Sequence, residues 1–240
     1  MEKREQLYEG KAKKVFATDD PNLYIVSYKD DATAFNGEKK GTISDKGIVN
    51  NNMSNIVFKH IEKAGIPTHF VEQLNDRDTV VKAVTILPLE VIVRNVAAGS
   101  FSVRYGVEEG TALIISPLEF SYKNDDLGDP LINDDHAIAL GIATEEDINT
   151  VKKYAHKINE VLCALFLDMD LRLIDFKIEF GKTNNGDIIL ADEISPDTCR
   201  LWDVETNEKM DKDRFRRDLG NEEETYQAVY ERLRSLTDNQ

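Results

Sequence analysis

The 240-residue chain is long enough for one large domain or two small ones, and its 41% hydrophobic and 31% charged residues are typical of a globular protein. Its 45 acidic residues outnumber its 30 basic residues, and the net charge of −15 argues against a surface that binds nucleic acid. No apolar run approaches the roughly 18 residues of a membrane span, so we expect no membrane insertion. Two cysteines disfavour a disulfide scaffold and, with no apolar signal segment after Met1, lead us to expect a cytoplasmic protein.

Residues 5–28 predict a β-hairpin whose turn falls at residues 19–22. Gly10 in its first strand would let the backbone approach a ligand closely. Lys11 and Lys13 are expected on one face of that strand because they are two residues apart. Two ammonium groups beside a glycine suit a polyphosphate, and the alternative is a pair of exposed strand lysines without a ligand.

The polar, glycine-rich stretch of residues 29–46 shows no core-facing pattern. We therefore predict a long loop there that is a lid, a binding loop or a mobile segment, with residues 30–45 as the candidate lid. An amphipathic helix is predicted next, over residues 49–64, with Gly65 ending it.

Short strands are predicted at residues 68–74, 79–87 and 89–93, with Pro88 between the last two. A proline between two apolar runs is typical of an inter-domain hinge. This pattern divides the chain into an N-terminal lobe, residues 1–87, and a C-terminal lobe, residues 88–240.

A helix is predicted to begin at Ser100, which follows a run of small residues and would be its N-cap. A helix N-terminus flanked by Arg94 and Arg104 could bind an anion. The alternative is a capped helix with solvated arginines.

Thr144 is predicted to cap the clearest helix of the chain, because three acidic residues follow it and apolar residues recur at helical spacing through Phe166. His136 follows Asp134 and Asp135 and could bind a metal together with them. It is a weak candidate, because side chains adjacent in sequence rarely converge on one ion. Cys199 has no histidine nearby in the sequence, which disfavours a thiol nucleophile. A Walker A motif, a Gly-x-Gly-x-x-Gly fingerprint and zinc-ligand spacing are absent from the sequence.

The strongest strand signal is the strict alternation of apolar and polar residues from Ile174 to Phe180. Asn185-Gly186 then predicts a hairpin turn, with residues 188–194 as the returning strand. If these two residues form the whole loop, Glu179 lies directly opposite Asp192. A three-residue loop would shift the pairing by one position.

Two facing carboxylates destabilise a sheet unless a cation lies between them, and a divalent metal with oxygen ligands is the obvious candidate. The alternative is a solvated polar face. Combined with the N-terminal lysines, the acidic pair indicates Mg²⁺-nucleotide chemistry, and the separate arginines indicate a second anionic ligand. Residue chemistry alone leads to a Mg²⁺-nucleotide enzyme with an anionic co-substrate.

Short motifs are spread over nearly the whole chain, namely Leu7–Lys13, Arg94-Asn95, Ala97–Ser100, Gly106–Gly110, Asp175–Gly181, Asp192–Asp197, Arg200–Asp203 and Lys209–Asp213. In these motifs and in their order, the sequence resembles the SAICAR synthetase (phosphoribosylaminoimidazole-succinocarboxamide synthase) family of purine biosynthesis. No single motif is specific to the family, but their combination is.

The resemblance implies an α+β, ATP-grasp-like fold of two lobes, with antiparallel sheets flanked by helices. It also implies an ATP-dependent ligase that joins L-aspartate to the carboxylate of carboxyaminoimidazole ribonucleotide and releases SAICAR, ADP and phosphate. The expected route is an acyl phosphate, because phosphoryl transfer gives the unreactive carboxylate a good leaving group. Mg²⁺ is the expected cofactor, and a homodimer is the expected assembly.

Residue roles follow from the same resemblance. The implied nucleotide-binding residues are Lys11, Ala12, Lys13 and Lys123 around the phosphates and Val15, Val84 and Ile86 around the adenine. The implied metal ligands are Glu179 and Asp192, the implied ribonucleotide ligands are Arg94, Ser100 and Arg200, and the implied catalytic residues beside the reacting carboxylate are Asp175 and Lys177.

Two rival functions remain open at the level of sequence. One is a different ATP-grasp-like ligase or a small-molecule kinase with the same metal pair, and a kinase would release ADP without needing an amine. The other is a catalytically silent nucleotide-binding module, which would bind Mg-ATP without turnover.

Overall fold

The structure is a computed structural model that describes residues 1–237. The strands are β1 (Gln6–Glu9), β2 (Lys13–Ala17), β3 (Leu23–Tyr28), β4 (Asp31–Ala34), β5 (Lys39–Thr42), β6 (Phe70–Gln73), β7 (Asp78–Lys82), β8 (Thr85–Ile86), β9 (Leu89–Arg94), β10 (Leu118–Tyr122), β11 (Leu131–Ile132), β12 (Leu171–Lys182), β13 (Ile188–Ala191) and β14 (Cys199–Asp203). The helices are α1 (Lys46–Lys63), α2 (Gly99–Tyr105), α3 (Asp134–Ala139), α4 (Glu145–Leu167), α5 (Asp213–Arg216) and α6 (Glu222–Thr237). Within these residues, no helix is both long enough and apolar enough to cross a bilayer.

Within residues 1–237, the strands form two larger antiparallel sheets and a small ribbon. The N-terminal sheet has the order β1-β2-β3-β7-β6, and the ribbon pairs β4 with β5. The second sheet has the order β11-β10-β9-β12-β13, with β8 and β14 also paired to β12. The first sheet therefore ends at Lys82 and the second begins at Thr85, while the division into lobes at residue 87 stays a prediction.

The predicted N-terminal hairpin exists, but its first strand is broken. Residues 10–12 form a turn between β1 and β2, closed by the hydrogen bond from the Gly10 N–H to the Lys13 carbonyl at 2.8 Å. The prediction that Lys11 and Lys13 share a strand face is therefore wrong, because Lys11 lies in the turn and Lys13 begins the next strand.

The central hairpin forms with a register one residue away from the two-residue-loop prediction. Glu179 pairs with Ala191, not Asp192. The cause is a three-residue loop: the Thr183 N–H donates to the Asp187 carbonyl at 3.0 Å and the Gly186 N–H to the Thr183 carbonyl at 2.9 Å. Gly186 has a φ of +87°, which glycine adopts at little cost.

The extended backbone of β13 ends at Ala191, and Asp192, the next residue, has a different conformation. Its φ is +62°, in the left-handed region that an aspartate occupies rarely. Strict alternation would turn its side chain to the face opposite that of Ala191 and Glu179. Because the backbone turns at this residue, Glu179 and Asp192 still line one cleft despite the corrected register.

The hydrophobic core lies between the second sheet and the two longest helices. Its central members are Phe58 and Ile61 of α1, Ile158 and Leu162 of α4, and Phe176, Ile178 and Phe180 of β12. The predicted α4 cap is confirmed, since the Thr144 side chain accepts from the Asp147 N–H and the Asp147 carboxylate accepts from the Thr144 N–H. The predicted Ser100 cap is wrong: Ala98 precedes α2, and Ser100 lies within its first turn.

Residues 29–46 contain more regular secondary structure than the loop prediction implied. Most of this stretch is the β4–β5 hairpin, with Ala32, Ala34 and Ile43 buried. Lys39 donates to the Phe215 carbonyl and forms an ion pair with Asp218, so the hairpin is attached to the region of α5. The buried positions of β4 carry only the short side chains of Ala32 and Ala34, which give too weak a periodic signal to predict a strand.

Candidate functional site

A cleft of about 710 Å³ is lined by residues from both large sheets. It brings together every sequence-predicted nucleotide and metal residue and one predicted catalytic residue, namely Lys11, Ala12, Lys13, Val15, Val84, Ile86, Lys123, Lys177, Glu179 and Asp192. The tip of the β4–β5 hairpin also lines it, through Thr33, Ala34, Phe35 and Gly37. Convergence of residues so distant in sequence marks this cleft as the candidate active site.

One part of the cleft has an apolar lining. Val15, Val26 and Val81 come from the N-terminal sheet, Val84 from the link between the two sheets, and Ile86 from β8 of the second sheet. Val84 lies so close to β12 that a Cβ on Gly181 would come within 2.5 Å of its side chain. A flat apolar ring system suits such a surface.

Lys13 is the central cation of the cleft. It forms an ion pair with Asp192 and a second one with Glu193 at 3.0 Å. Burial alone would lower the pKa of this lysine, but the two carboxylates hold the pKa well above its ordinary value. The ammonium group is therefore charged at all physiological pH values.

The acidic side chains are balanced by lysines in the same way. Glu179 accepts from Lys123 at 2.6 Å and lies 3.5 Å from Lys177, which also pairs with Glu90 at 2.6 Å. Burial would lower the pKa of Lys177, but Glu179 and Glu90 raise it above its ordinary value. Burial would raise the pKa of Asp192, yet Lys13 and Lys177 bring it down to about 2.

Glu179 and Asp192 have the donor chemistry that Mg²⁺ requires in a nucleotide site, where one or two carboxylates act together with phosphate oxygens. Across the described part of the chain, no group of three or more His, Cys, Asp or Glu side chains is assembled that could hold a metal ion. The residues therefore fit an ion that arrives with a phosphate ligand better than a closed protein metal site.

The remaining predicted residues form a separate group, which we call the arginine cluster: Arg94, Ser100, Asp175 and Arg200. None of them is among the residues that line the cleft. Asp175 pairs with Arg94 and with Arg200, each at 2.9 Å, and Arg94 donates to the Ser100 hydroxyl at 3.2 Å. Asp175 is only 4% exposed, so this structure uses it as the counter-ion of two arginines.

Sequence reasoning missed several cleft residues. Glu193, Asp197, Lys212 and Arg216 line the cleft, and the sequence predicts no role for any of them. Asp197 binds the fully buried Lys46 of α1 at 2.8 Å and accepts from the Tyr226 hydroxyl of α6 at 2.6 Å. No local pattern predicts these partners, because they come from opposite ends of the chain.

His69 was also missed. It lines the cleft, is buried, and has its pKa lowered to about 3 by burial and by the neighbouring Lys13. The sequence offered one signal for it: His69 lies in the predicted strand of residues 68–74.

The two weak candidates, His136 and Cys199, occupy positions with a structural role. His136 belongs to the capping box of α3 with Asn133. Cys199 lies buried on β14, and burial raises the pKa of its thiol. A buried thiol with a raised pKa is a poor nucleophile.

Comparisons with known proteins agree with the geometry. The sequence profile of the SAICAR synthetase family matches residues 6–233. A phosphoribosylaminoimidazole-succinocarboxamide synthase of Lachnoclostridium phytofermentans is 62% identical over 233 residues, which cover 97% of this chain and 99% of that protein.

Solved structures of this family superpose closely on the chain. The phosphoribosylaminoimidazole-succinocarboxamide synthase of Ehrlichia chaffeensis is 46% identical, with a TM-score of 0.94 and coverage of 96% of this chain and 98% of that chain. A SAICAR synthetase in complex with ADP is 48% identical, with a TM-score of 0.91 and coverage of 94% and 96%. The chain therefore belongs to the SAICAR synthetase family, has its ATP-grasp-like α+β fold, and is an ATP-dependent, amide-forming ligase of purine biosynthesis.

Proposed function

We propose that the cleft binds ATP and the reacting carboxylate of the ribonucleotide, while the arginine cluster binds the rest of that substrate. The enzyme joins L-aspartate to carboxyaminoimidazole ribonucleotide and releases SAICAR, ADP and phosphate. The observation that carries the assignment is the course of β12, which delivers Lys177 and Glu179 to the cleft and Asp175 to the arginine cluster. Since residues two apart on a strand are separated by roughly 7 Å, groups bound at the two places meet along β12.

The nucleotide is proposed to lie with its adenine against Val15, Val84 and Ile86. Its phosphates would then reach Lys11 and Lys13, with the Ala12 backbone between them, and Lys123 from the opposite sheet. The ADP complex of a related SAICAR synthetase supports nucleotide binding by this fold. The turn at residues 10–12 also supports it, because backbone N–H groups in a tight turn suit phosphate oxygens.

Glu179 and Asp192 are the proposed ligands of Mg²⁺. When bound with ATP, the ion supplies positive charge that stabilises the transferring phosphoryl group. Asp192 remains ionised at neutral pH because Lys13 and Lys177 lower its pKa to about 2, and Glu179 is paired with Lys123 at 2.6 Å.

Arg94, Ser100 and Arg200 are the proposed ligands of the ribonucleotide, with its phosphate near Ser100 and an arginine. Asp175 holds both guanidinium groups through ion pairs and so fixes the direction of their remaining N–H donors. We propose that Asp175 and Lys177 together border the reacting carboxylate, with Asp175 acting through the arginines.

The proposed reaction has two steps. A carboxylate oxygen of the ribonucleotide attacks the γ-phosphorus of ATP, which releases ADP and leaves an acyl phosphate. The aspartate amine then attacks the acyl carbon, loses a proton and expels phosphate. The Lys177 ammonium, held charged by Glu179 and Glu90, stabilises the negative charge that develops in both steps.

The β4–β5 hairpin is the proposed lid of the site. Its tip lines the cleft, and its closure would exclude the water that hydrolyses acyl phosphates. We also propose a cytoplasmic homodimer whose lobes, residues 1–87 and 88–240, flank the nucleotide. Sedimentation analysis at several concentrations tests the dimer.

Time courses with the substrates in excess over enzyme sites, omitting each substrate in turn, test the proposed function. The complete mixture should release ADP and form SAICAR in equal amounts. Without aspartate, ADP release should stop after at most one equivalent per site, since the acyl phosphate has no amine to react with. Continuous ADP release without any amine would instead indicate a kinase, and binding of Mg-ATP without turnover would indicate a silent nucleotide-binding module.

A further inference from the structure

His69 is held rigidly where the two large sheets meet. Its N–H donates to the Leu190 carbonyl of β13 at 2.8 Å, and its carbonyl accepts from the Lys82 N–H of β7 at 2.7 Å. The ring packs edge-on against Phe58 of α1, with 5.2 Å between the ring centroids. Backbone and ring together fix the imidazole at the wall of the cleft.

The imidazole has no hydrogen-bond partner within residues 1–237, although His69 is only 6% exposed. Its ring nitrogens are not among the fully buried unpaired polar atoms of residues 1–237, so they open onto the cleft that His69 lines and can bond a ligand there. Packing against Phe58 explains why residue 69 has an aromatic ring, but it does not explain why that ring carries nitrogen atoms, since a phenylalanine would pack equally well.

The charges around His69 identify the kind of ligand. Burial disfavours a proton on the ring, and so do Lys13 and Lys82, while Asp192 is the acidic group nearby. A neutral imidazole carries one N–H donor and one acceptor nitrogen. A donor placed beside the Lys13 ammonium suits an anionic phosphate oxygen better than the uncharged adenine base.

We infer that His69 is a nucleotide-binding residue whose imidazole donates a hydrogen bond to an oxygen of the phosphate chain that Lys13 holds. The inference rests on the nucleotide site proposed above and adds a ligand to its phosphate end. It assigns to His69 a contact that ADP and ATP can make and that adenosine, which has no phosphate, cannot.

Calorimetric binding of ADP and of adenosine tests this assignment without relying on turnover. His69→Phe keeps a ring against Phe58 and removes both nitrogen atoms, so ADP should bind about tenfold more weakly or worse, as expected for one lost bond to a charged group. Adenosine affinity should stay within about twofold. His69→Asn and His69→Gln place an amide N–H near the two ring nitrogens, and one of them should recover most of the ADP affinity.

The control is His60→Phe, since His60 lies half-buried on α1 and does not line the cleft. Unchanged ADP affinity in His69→Phe overturns the inference, and so does an equal loss for ADP and adenosine, which would indicate a packing role. If His69→Phe does not fold, the smaller His69→Leu serves instead. Lys13→Met separates the two proposals: loss of ADP binding there, with none in His69→Phe, would leave the nucleotide site standing and reject the role of His69.

Discussion

At the scale of single residues, the cleft is governed by acidic side chains that share a few lysines. Lys13 forms ion pairs with Asp192 and Glu193, and Lys177 forms ion pairs with Glu90 and Glu179. Each ammonium is held charged although it is largely buried, because two carboxylates compensate for the lost hydration. Such fixed charges stabilise a developing charge without reorganising during the reaction.

The Asp192→Asn variant is expected to fold normally and to lose Mg²⁺-dependent turnover by at least about a hundredfold, since it removes one of two proposed metal ligands. Glu193 still pairs with Lys13 at 3.0 Å, so the lysine keeps a counter-ion. ADP affinity measured with and without Mg²⁺ checks the metal role directly, because the difference should shrink in the variant. Asp187→Asn, an exposed change on the same hairpin, is the control, and near-normal turnover in Asp192→Asn would refute the assignment.

His69 should make stability depend on pH. In the unfolded chain a histidine binds a proton below its ordinary pKa of 6.5, while folded His69 stays neutral down to about 3. Unfolding therefore takes up a proton in this range, so His69 contributes stability above pH 6.5 that is lost as the pH falls. Between pH 7.5 and 5.5 the loss should be ~1.4 kcal/mol.

Denaturant titrations of the wild type and of His69→Phe at both pH values check this expectation. The variant has no imidazole to titrate at this position, so its free energy of unfolding should fall by about 1.4 kcal/mol less than that of the wild type. Identical losses in the two proteins would show that folded His69 binds a proton as readily as the unfolded chain.

At the scale of secondary-structure elements, β12 is the strand that connects the two parts of the site. Arg94 of β9 and Arg200 of β14 are its cross-strand neighbours at Asp175, one on each side. Cross-strand neighbours on one face lie within reach of each other's side chains, which explains the arginine cluster. Further along the same strand, Lys177 and Glu179 reach the cleft.

The β4–β5 hairpin is expected to close when the site fills. Amide hydrogen exchange over residues 31–42 should slow when Mg²⁺, ADP and the ribonucleotide are all present, because closure protects backbone groups at the tip. Helix α3, which does not line the cleft, provides the internal control. Equal exchange rates with and without the ligands would reject the lid.

At the scale of the whole molecule, the site is assembled from both ends of the chain. Residues near the N-terminus, such as Lys13, meet the second sheet at Asp192, and α6 reaches the cleft wall through Tyr226 and Asp197. A ligand that contacts both sheets should therefore stabilise the protein as one unit.

Mg²⁺-ADP at about 100 times its dissociation constant should raise the free energy of unfolding by roughly 2.7 kcal/mol. Thermal unfolding followed by far-UV circular dichroism and by fluorescence of Trp202, the single tryptophan, should move to higher temperature together. The Lys13→Met variant should show a smaller shift at the same ADP concentration. A transition that moves for one probe only would indicate that the ligand binds one sheet rather than both.

The sequence by itself determined the local features of this protein. The alternation along β12, the turn at Asn185-Gly186 and the cap at Thr144 all depend on residues close together in the chain, so their patterns were sufficient to predict them. The motif combination identified the family for the same reason, since each motif is a short contiguous segment.

Only the tertiary structure decided how those pieces meet. One extra loop residue moved Glu179 from Asp192 to Ala191, and the left-handed turn at Asp192 returned the carboxylate to the cleft. The positions of His69 and of the Lys46–Asp197 pair depend on contacts between segments far apart in sequence. Local propensity carries no information about such contacts, because they arise from sheet pairing and packing across the whole chain.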